Sequence, residues 1–462
     1  VKVSIIKSAR TAGNVLAITL VMAGIIALTL TSYLFLVSTQ SKIVARSQEW
    51  NQAMAVTEAG IEDGMQFVNR FSGTPNVTGW TAGLPADGWT VSGNVYHATR
   101  YMDAAHTISY QLYVTNTGLA PIIRSTSYLP APFWVGTNKA PISRTVVVQA
   151  QINAMFQVAM AALGAIDFKG NNVSSDSYDS TDPNYSTNGL YTPLRRKAGG
   201  DVATDSTALN VGNANIAGKA RTGPGGTVSF NKNNSTIGDL TWVNASTPGA
   251  EPGWTTDDMN MQFNDVVLPA VSWGYAGGTG TGGSGTAPDG NTYDHVFSDS
   301  INDTALNPGN FIITDSGTVY VGTNVHVNLQ ITASSWNPST VYVAGMTTNE
   351  IGIAKFYMNG TTSMGLSQTV SAQSGRPVAL QFYGLPSLTS IKFSGNGNWS
   401  GTIYAPEASF QLSGGGNDTQ DFAGSCVVHD IQMNGHYNFH FDESLKNMSI
   451  DLQYKAISWR EL

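Results

Sequence analysis

Several groups of residues in this 462-residue sequence have types and spacings that could do chemistry. His429, His436 and His440 lie near Asp430, Asp442 and Glu443. On an extended segment, residues an even number apart share a face, so His436 and His440 could join one metal site. Hydrogen-bonded imidazoles on a sheet face are the other reading. Asp176, Asp179 and Asp182 recur every three residues before Pro183. Hard carboxylate oxygens suit calcium, although the spacing is not that of an EF-hand and Asp also closes turns. Asp257 and Asp258 are carboxylates of the kind that run glycoside chemistry, yet adjacent strand residues face opposite ways. Gly278 to Gly283 matches G-x-G-x-x-G, but no helical pattern follows, as a dinucleotide site requires, so a flexible loop is expected. Cys426, the single cysteine, lies in a repeated segment and reads as core rather than nucleophile. Trp399, Tyr404, Tyr437 and Phe439 offer an aromatic strip for a sugar or a surface. None of these groups assembles a reaction centre. The expectation is a protein that is not an enzyme and holds no resident cofactor, with calcium at Asp176, Asp179 and Asp182 as the alternative.

The composition agrees with a scaffold. Lys and Arg number 23, Asp and Glu 31, so 12% of residues are charged and the net charge is −8. That is about half the usual charged share, and no basic patch marks a nucleic-acid partner. One cysteine excludes an intrachain disulfide framework. With 49 glycines, the chain reads as a β-rich, turn-rich envelope or surface protein.

The elements come next. No charge falls between Arg10 and Lys42, and the core of that gap, Val15 to Leu36, includes Leu16, Ile25, Ile26, Leu28, Leu30 and Leu34. About 20 apolar residues span a bilayer. Lys2, Lys7 and Arg10 before the stretch favour a cytoplasmic N-terminus. Helical periodicity continues beyond it: Ile43, Trp50, Met54, Thr57, Ile61, Met65 and Val68 fall on one face. The spacing predicts a helix over 14–70, roughly 80 Å long, whose first half suits a membrane.

Downstream, the period changes to two. Ile108, Tyr110, Leu112 and Val114 alternate with polar residues, and Val95 to Met102 precedes them across a hairpin connection. A small antiparallel β region is expected over 71–155. Further on the sequence repeats. Ile391-Lys-Phe-Ser-Gly-Asn-Gly-Asn398, Phe410-Gln-Leu-Ser-Gly-Gly-Gly-Asn417 and Ile431-Gln-Met-Asn-Gly-His-Tyr-Asn438 share one pattern, with a looser copy at Ile166-Asp-Phe-Lys-Gly-Asn-Asn172. Gly401-Thr-Ile-Tyr-Ala-Pro406 and Gly424-Ser-Cys-Val-Val-His429 supply a second strand per repeat. A period near 20 residues predicts stacked coils, a parallel β-helix over 161–445 with an insertion at 248–310; a β-sandwich is the rival. Gly435 to Leu445 is expected to cap the stack, and 446–462 to form a C-terminal tail.

Two resemblances add to this. Thr11-Ala-Gly-Asn-Val-Leu16, Arg46-Ser-Gln-Glu-Trp-Asn51 and Thr57-Glu-Ala-Gly-Ile-Glu62 resemble the N-terminal region of type IV pilins, most closely minor pilins of the PilX type. The resemblance covers about residues 8–70. It implies that 1–13 is a leader cut between Gly13 and Asn14, and that the partners are other pilin-like subunits, the pilus assembly machinery and the inner membrane. Ile18 stands where major pilins carry a glutamate, which resembles minor or tip-located subunits. Asp176 to Tyr185, Gly401 to Pro406 and Asn434 to His440 resemble a β-helical domain of unknown role appended to pilin-like proteins. The expected fold is mainly β with one long N-terminal α-helix: a pilin-like helix plus small antiparallel sheet, then a parallel β-helix (solenoid). The expected role is a minor or tip subunit of a cell-surface filament, presenting the solenoid for adhesion or capping. The alternatives are a membrane-tethered glycan-binding module and a β-helical polysaccharide enzyme.

Overall fold

The computed structural model describes residues 12–69, 87–115, 120–131, 141–152, 154–170, 173–298, 308–346, 351–367, 369–395, 397–414, 420–448 and 454–462. Most of the leader-like segment 1–13 and the start of the expected β region, 70–86, lie outside them. The protein is mainly β with one long N-terminal helix, and it divides into two units, Val1–Asn153 with Asp451–Leu462, and Ala154–Ile450.

In the first unit, α1 (Ala12–Asn69) is a single helix, unbroken by proline. Its second half packs on an antiparallel sheet of β1 (Trp89–Ser92), β2 (Val95–Tyr101), β3 (Ser109–Thr115), β4 (Ile122–Leu129) and β5 (Ile142–Ile152), paired in chain order. Alternation sends Tyr96, Leu112, Val114, Ile123, Val146 and Val148 into the core beneath the helix. A sixth strand, Tyr454–Glu461, pairs antiparallel with β5, Tyr454 opposite Ile152. This corrects the expected C-terminal tail: residues of the 446–462 segment form an edge strand of the first unit. The pairing partner lies some 300 residues earlier, and no local pattern announces it. The second unit is therefore an insertion between two neighbouring strands of one sheet.

Three rows of parallel strands and a separate five-stranded sheet, whose Val319, Val341 and Val370 also stand in parallel register, build the second unit. One row carries Thr255, Ala220, Val202, Met160, Cys426, Ile403, Phe382, Phe356, Leu329, Phe311 and Gly274 in direct register. A second carries Val228, Leu209, Ile166, Ile431, Phe410, Ile391, Met364 and Trp336. A third carries Ala250, Ile237, Ile216, Ser175, Phe439, Phe422 and Trp399. The four sequence repeats thus stand on successive rungs of the second row. Rings pack from rung to rung inside: Phe356 stacks on Phe382 at 5.2 Å and Phe422 on Phe439 at 4.4 Å, while Trp336 meets Phe356 at 5.2 Å and Trp399 meets Phe422 at 4.4 Å in tilted contacts.

The rungs do not follow chain order. Residues 160–256 stack outward from the middle in one direction, and residues 309–442 run inward from the far end until they meet the first rung again. At this seam Cys426 pairs with Met160 and Ile431 with Ile166, and Met155 N donates to Met448 O at 2.7 Å. Gly435 to Leu445, expected as a cap, therefore lies mid-stack, paired with strands on both sides. Nor is 248–310 a plain insertion. Gly249–Ala250, Thr255–Thr256, Gly274–Tyr275 and Gly309–Ile313 are rungs, and Thr281–Thr286 forms a hairpin with Thr292–Phe297.

Residues 257–273 must connect one end of the stack to the other. Met259 N donates to Thr222 O, and Gly274 pairs with Phe311, nine rung spacings away. At about 4.8 Å per rung this is roughly 43 Å. Fifteen extended residues reach about 50 Å, so the segment runs almost straight as a strap. Its own Met259, Met261 and Val266 are buried in the core of the unit, Tyr404 Oη donates to Asn264 O at 2.9 Å, and Trp273 meets the Tyr357 ring edge-on at 6.2 Å. The strap explains why the outward-facing Tyr383 and Tyr404 are buried.

Candidate functional site

Two places hold the residues marked by the sequence. The first is α1. Gly13 and Asn14 lie in its first turn. Val15, Leu16, Ile25, Ile26, Leu28, Leu30, Leu34 and Leu36 are all exposed, each by more than half. The helix from Val15 holds an 18-residue window apolar enough to cross a membrane, and none of that window is buried within the chain. Apolar surface on this scale has to be covered by lipid or protein. From Ala53 onward the helix is docked: Ile61 is buried, Met54 is half-buried, and Trp50 is partly exposed with the Arg144 guanidinium 5.0 Å above its ring.

The docking face shares Thr57, Ile61 and Val68 with the expected stripe but is shifted toward the small residues. It is centred on Ala53, Thr57, Gly60 and Gly64. A Cβ on Gly60 would stand 2.2 Å from Ser125 Oγ, and one on Gly64 2.6 Å from Ile123 Cγ2. Thr57 Oγ1 bonds Ser127 Oγ at 2.8 Å. The small residues let the helix lie close on the sheet. Their signal in the sequence was the i, i+4 pair of glycines in the amphipathic half of a helix without proline, which a count of apolar residues passes over.

The second place is the seam. His440 and Asp176 stand in register on neighbouring parallel strands, Tyr437–Asp442 and Ser174–Tyr178. Both side chains are almost wholly buried. His440 Nδ1 lies 2.6 Å from Asp176 Oδ1, and its Nε2 lies 3.3 Å from Asp421 Oδ1 on the opposite side of the ring. Each ring nitrogen thus faces a carboxylate oxygen. A neutral imidazole has one donor only, so the geometry calls for the imidazolium. Burial works against that charge, but the bonds from Asp176 and Asp421 outweigh it and raise the His440 pKa. The same bond from His440 lowers the pKa of Asp421. Tyr191, on the loop over 179–201, stacks on His440 at 3.5 Å and donates to Asp176 Oδ2 at 2.8 Å. Burial and the Asp176 charge push the Tyr191 hydroxyl well up, keeping it a donor. Arg196 lies 3.5 Å from Asp176 Oδ2 and also bonds Asn244. The loop reaches on to the neighbouring rungs, where Lys197 pairs with Glu443 and Ser180 N donates to Asp442 at 3.0 Å.

The expected constellations are therefore redistributed. Asp179 Oδ1 accepts from Thr181 N and Asp182 Oδ1 from Asn184 N, each closing its own turn, while Asp176 belongs to the seam. The three do not converge on one calcium position. His429 bonds Asp430 at 2.6 Å, away from His440, and among the described residues no three His, Cys, Asp or Glu side chains are spaced to hold a metal ion. Asp257 accepts from Gly225 N, whereas Asp258 accepts from Thr256. The G-x-G-x-x-G run enters a hairpin strand, with no helix behind it. Trp399, Tyr404, Tyr437 and Phe439 are buried, which corrects their reading as a surface strip; they fill the stack or lie under the strap.

Beside Asp176 a cleft of about 430 Å³ opens on the outer face of the third row. Asp176, Arg196, Asn215, Asn233, Asn234 and Ser246 line it.

A family described as a domain of unknown function (DUF7305) matches residues 299–448. No curated protein matches the sequence. Among solved structures, the chain is similar to the competence-associated pilin ComZ from Thermus thermophilus, with a TM-score of 0.29 and 11% identity, over 89% of this chain and 97% of that one.

Proposed function

We propose that the chain is a pilin-like structural subunit of a type IV pilus or related filament, in a minor or tip position. One observation carries this reading: a single helix whose first half is apolar and uncovered all round, and whose second half is fixed to an antiparallel sheet. The uncovered half is stored in the inner membrane before assembly. In the filament it packs against the helices of other pilin-like subunits, so assembly exchanges lipid contacts for protein contacts. The assembly machinery and a peptidase cutting between Gly13 and Asn14 are the partners this requires. We read the three parallel rows as the faces of a β-helix, carried for adhesion or capping. An insertion of nearly 300 residues is hard to repeat at every position of a thin filament, which favours the minor or tip role.

The test is recovery of the chain in sheared filaments. Substoichiometric recovery that is lost when Leu28, Leu30 and Leu34 are replaced by Asn supports the reading. Absence from filaments, with the chain remaining in the membrane, overturns it. The second reading, a membrane-tethered glycan-binding module without enzymatic activity, is favoured by the polar cleft.

A further inference from the structure

We propose that the cleft beside Asp176 binds an oligosaccharide bearing a carboxylate, with Arg196 holding the carboxylate and the Asn233, Asn234 and Ser246 side chains holding hydroxyls. The inference concerns the second unit alone and stands whether or not the chain enters a filament.

The lining carries the chemistry. Apart from Val243, Pro248 and Ala217, every side chain in the cleft is a hydroxyl, an amide or a charged group. Its floor is the outer face of three successive rungs, with Ser174, Asn215 and Thr236 in register. Thr236 Oγ1 donates to Asn215 Oδ1 at 2.8 Å, and Ser174 Oγ to Asn438 Oδ1 at 2.6 Å, so the floor is a ladder of polar groups about 4.8 Å apart. The rim differs from the floor. Asn233 and Asn234 donate their backbone N–H groups to Asn231, and Ser246 donates its own to Val243. Among the described residues their side-chain amides and hydroxyl have no hydrogen-bond partner, and all three residues line the cleft. Polyhydroxyl ligands are recognised by such groups, which both donate and accept.

Arg196 sets the charge. Its guanidinium is about a third exposed and is held from behind by Asp176 and Asn244. Asp176 is itself taken up on both oxygens, Oδ1 by the His440 ring and Oδ2 by Tyr191 and Arg196. Asp421 lies across the imidazole, away from the cleft. A planar, pre-oriented guanidinium with donors to spare is matched by a carboxylate.

The probes are the trimer of galacturonic acid and the neutral trimer of galactose, titrated calorimetrically against the full chain in detergent micelles. The charged trimer is expected to bind saturably and to weaken with salt. Arg196→Gln should weaken it about tenfold or more while leaving the neutral trimer unchanged. Arg196→Lys, which keeps the charge but not the fork, should fall between. Asn233→Ala with Asn234→Ala should weaken both trimers. Thermal midpoints of the variants within a few degrees of the parent show that the fold is retained. Absence of saturable binding of the charged trimer at millimolar concentration overturns the proposal, as does equal affinity of parent and Arg196→Gln. Recovery of Arg196→Gln in sheared filaments reads the filament proposal separately, and it should equal that of the parent.

Discussion

His440 offers the sharpest test of how the seam is held. Replacing it with Gln keeps a polar side chain of similar reach but removes the cation between Asp176 and Asp421. Breaking a buried ion pair from one side costs roughly 3–5 kcal/mol. Asp176 keeps Tyr191 at 2.8 Å and Arg196 at 3.5 Å, and Asp421 is partly exposed, so the loss belongs at the lower end, about 3 kcal/mol. The seam joins strands some 260 residues apart in sequence, so its weakening should appear as local opening. Hydrogen exchange over 174–178 and 437–442 reads this directly, and about 3 kcal/mol is roughly a hundredfold fall in protection factor. The pH dependence has a definite sign. The folded pKa of His440 is raised, so its contribution is complete below the unfolded value near 6.5 and is lost as pH rises through the folded value. The parent should therefore lose seam protection above neutral pH, and His440→Gln should be flat over the same range. Protection within about threefold of the parent at pH 7, or a parent profile flat from pH 7 to 10, would refute an imidazolium clasp.

Other outcomes follow from the packing. Gly60→Val puts a branched side chain against Ser125 and Tyr110 and should destabilise the first unit by about 1–3 kcal/mol in chemical unfolding. Asn69→Ala removes the reciprocal bonds between Asn69 and the Tyr454 backbone, at 3.1 and 2.6 Å, and should cost about 1–2 kcal/mol, read as faster exchange over 454–461. Tyr404→Phe leaves the Asn264 carbonyl without its donor; the strap should become more susceptible to protease within 257–273 while the rows keep their protection. Cys426 is fully buried and its thiol pKa is raised by desolvation, so it should resist thiol reagents at pH 8 until the chain is unfolded.

Local pattern made some of this legible. The period-two run through Tyr110, Leu112 and Val114 gave β3 and its inward face, and the repeats at Ile391, Phe410 and Ile431 lie on adjacent rungs. The copy at Ile166 was the informative one: it is distant in sequence yet pairs directly with Ile431. Similarity identifies rungs, but it does not order them, because equivalent rungs present the same face to any neighbour. The seam, the strap and the returning strand Tyr454–Glu461 all depend on pairings between distant segments and were invisible for that reason. His440 and Asp176 were each marked by residue type, as ligands for different ions. Only the register of two parallel strands makes them partners. The docking face of α1 was blurred because closeness of approach is set by the absence of side chains at Gly60 and Gly64, which a search for apolar residues does not register.

The mid-stack meeting of Met160 with Cys426 also has a consequence for biogenesis. As the polypeptide leaves the ribosome, the strands over 160–256 emerge first, and one open edge of their rows has no partner until residues 420–442 have been made. Through the synthesis of about 160 further residues that edge offers unpaired N–H and C=O groups to any passing strand. Closure of the seam is then among the last events in folding, and contacts of such long sequence separation form slowly. A nascent chain of this topology needs that edge shielded until the seam closes, and overexpression should fail first by edge-to-edge aggregation of the early strands.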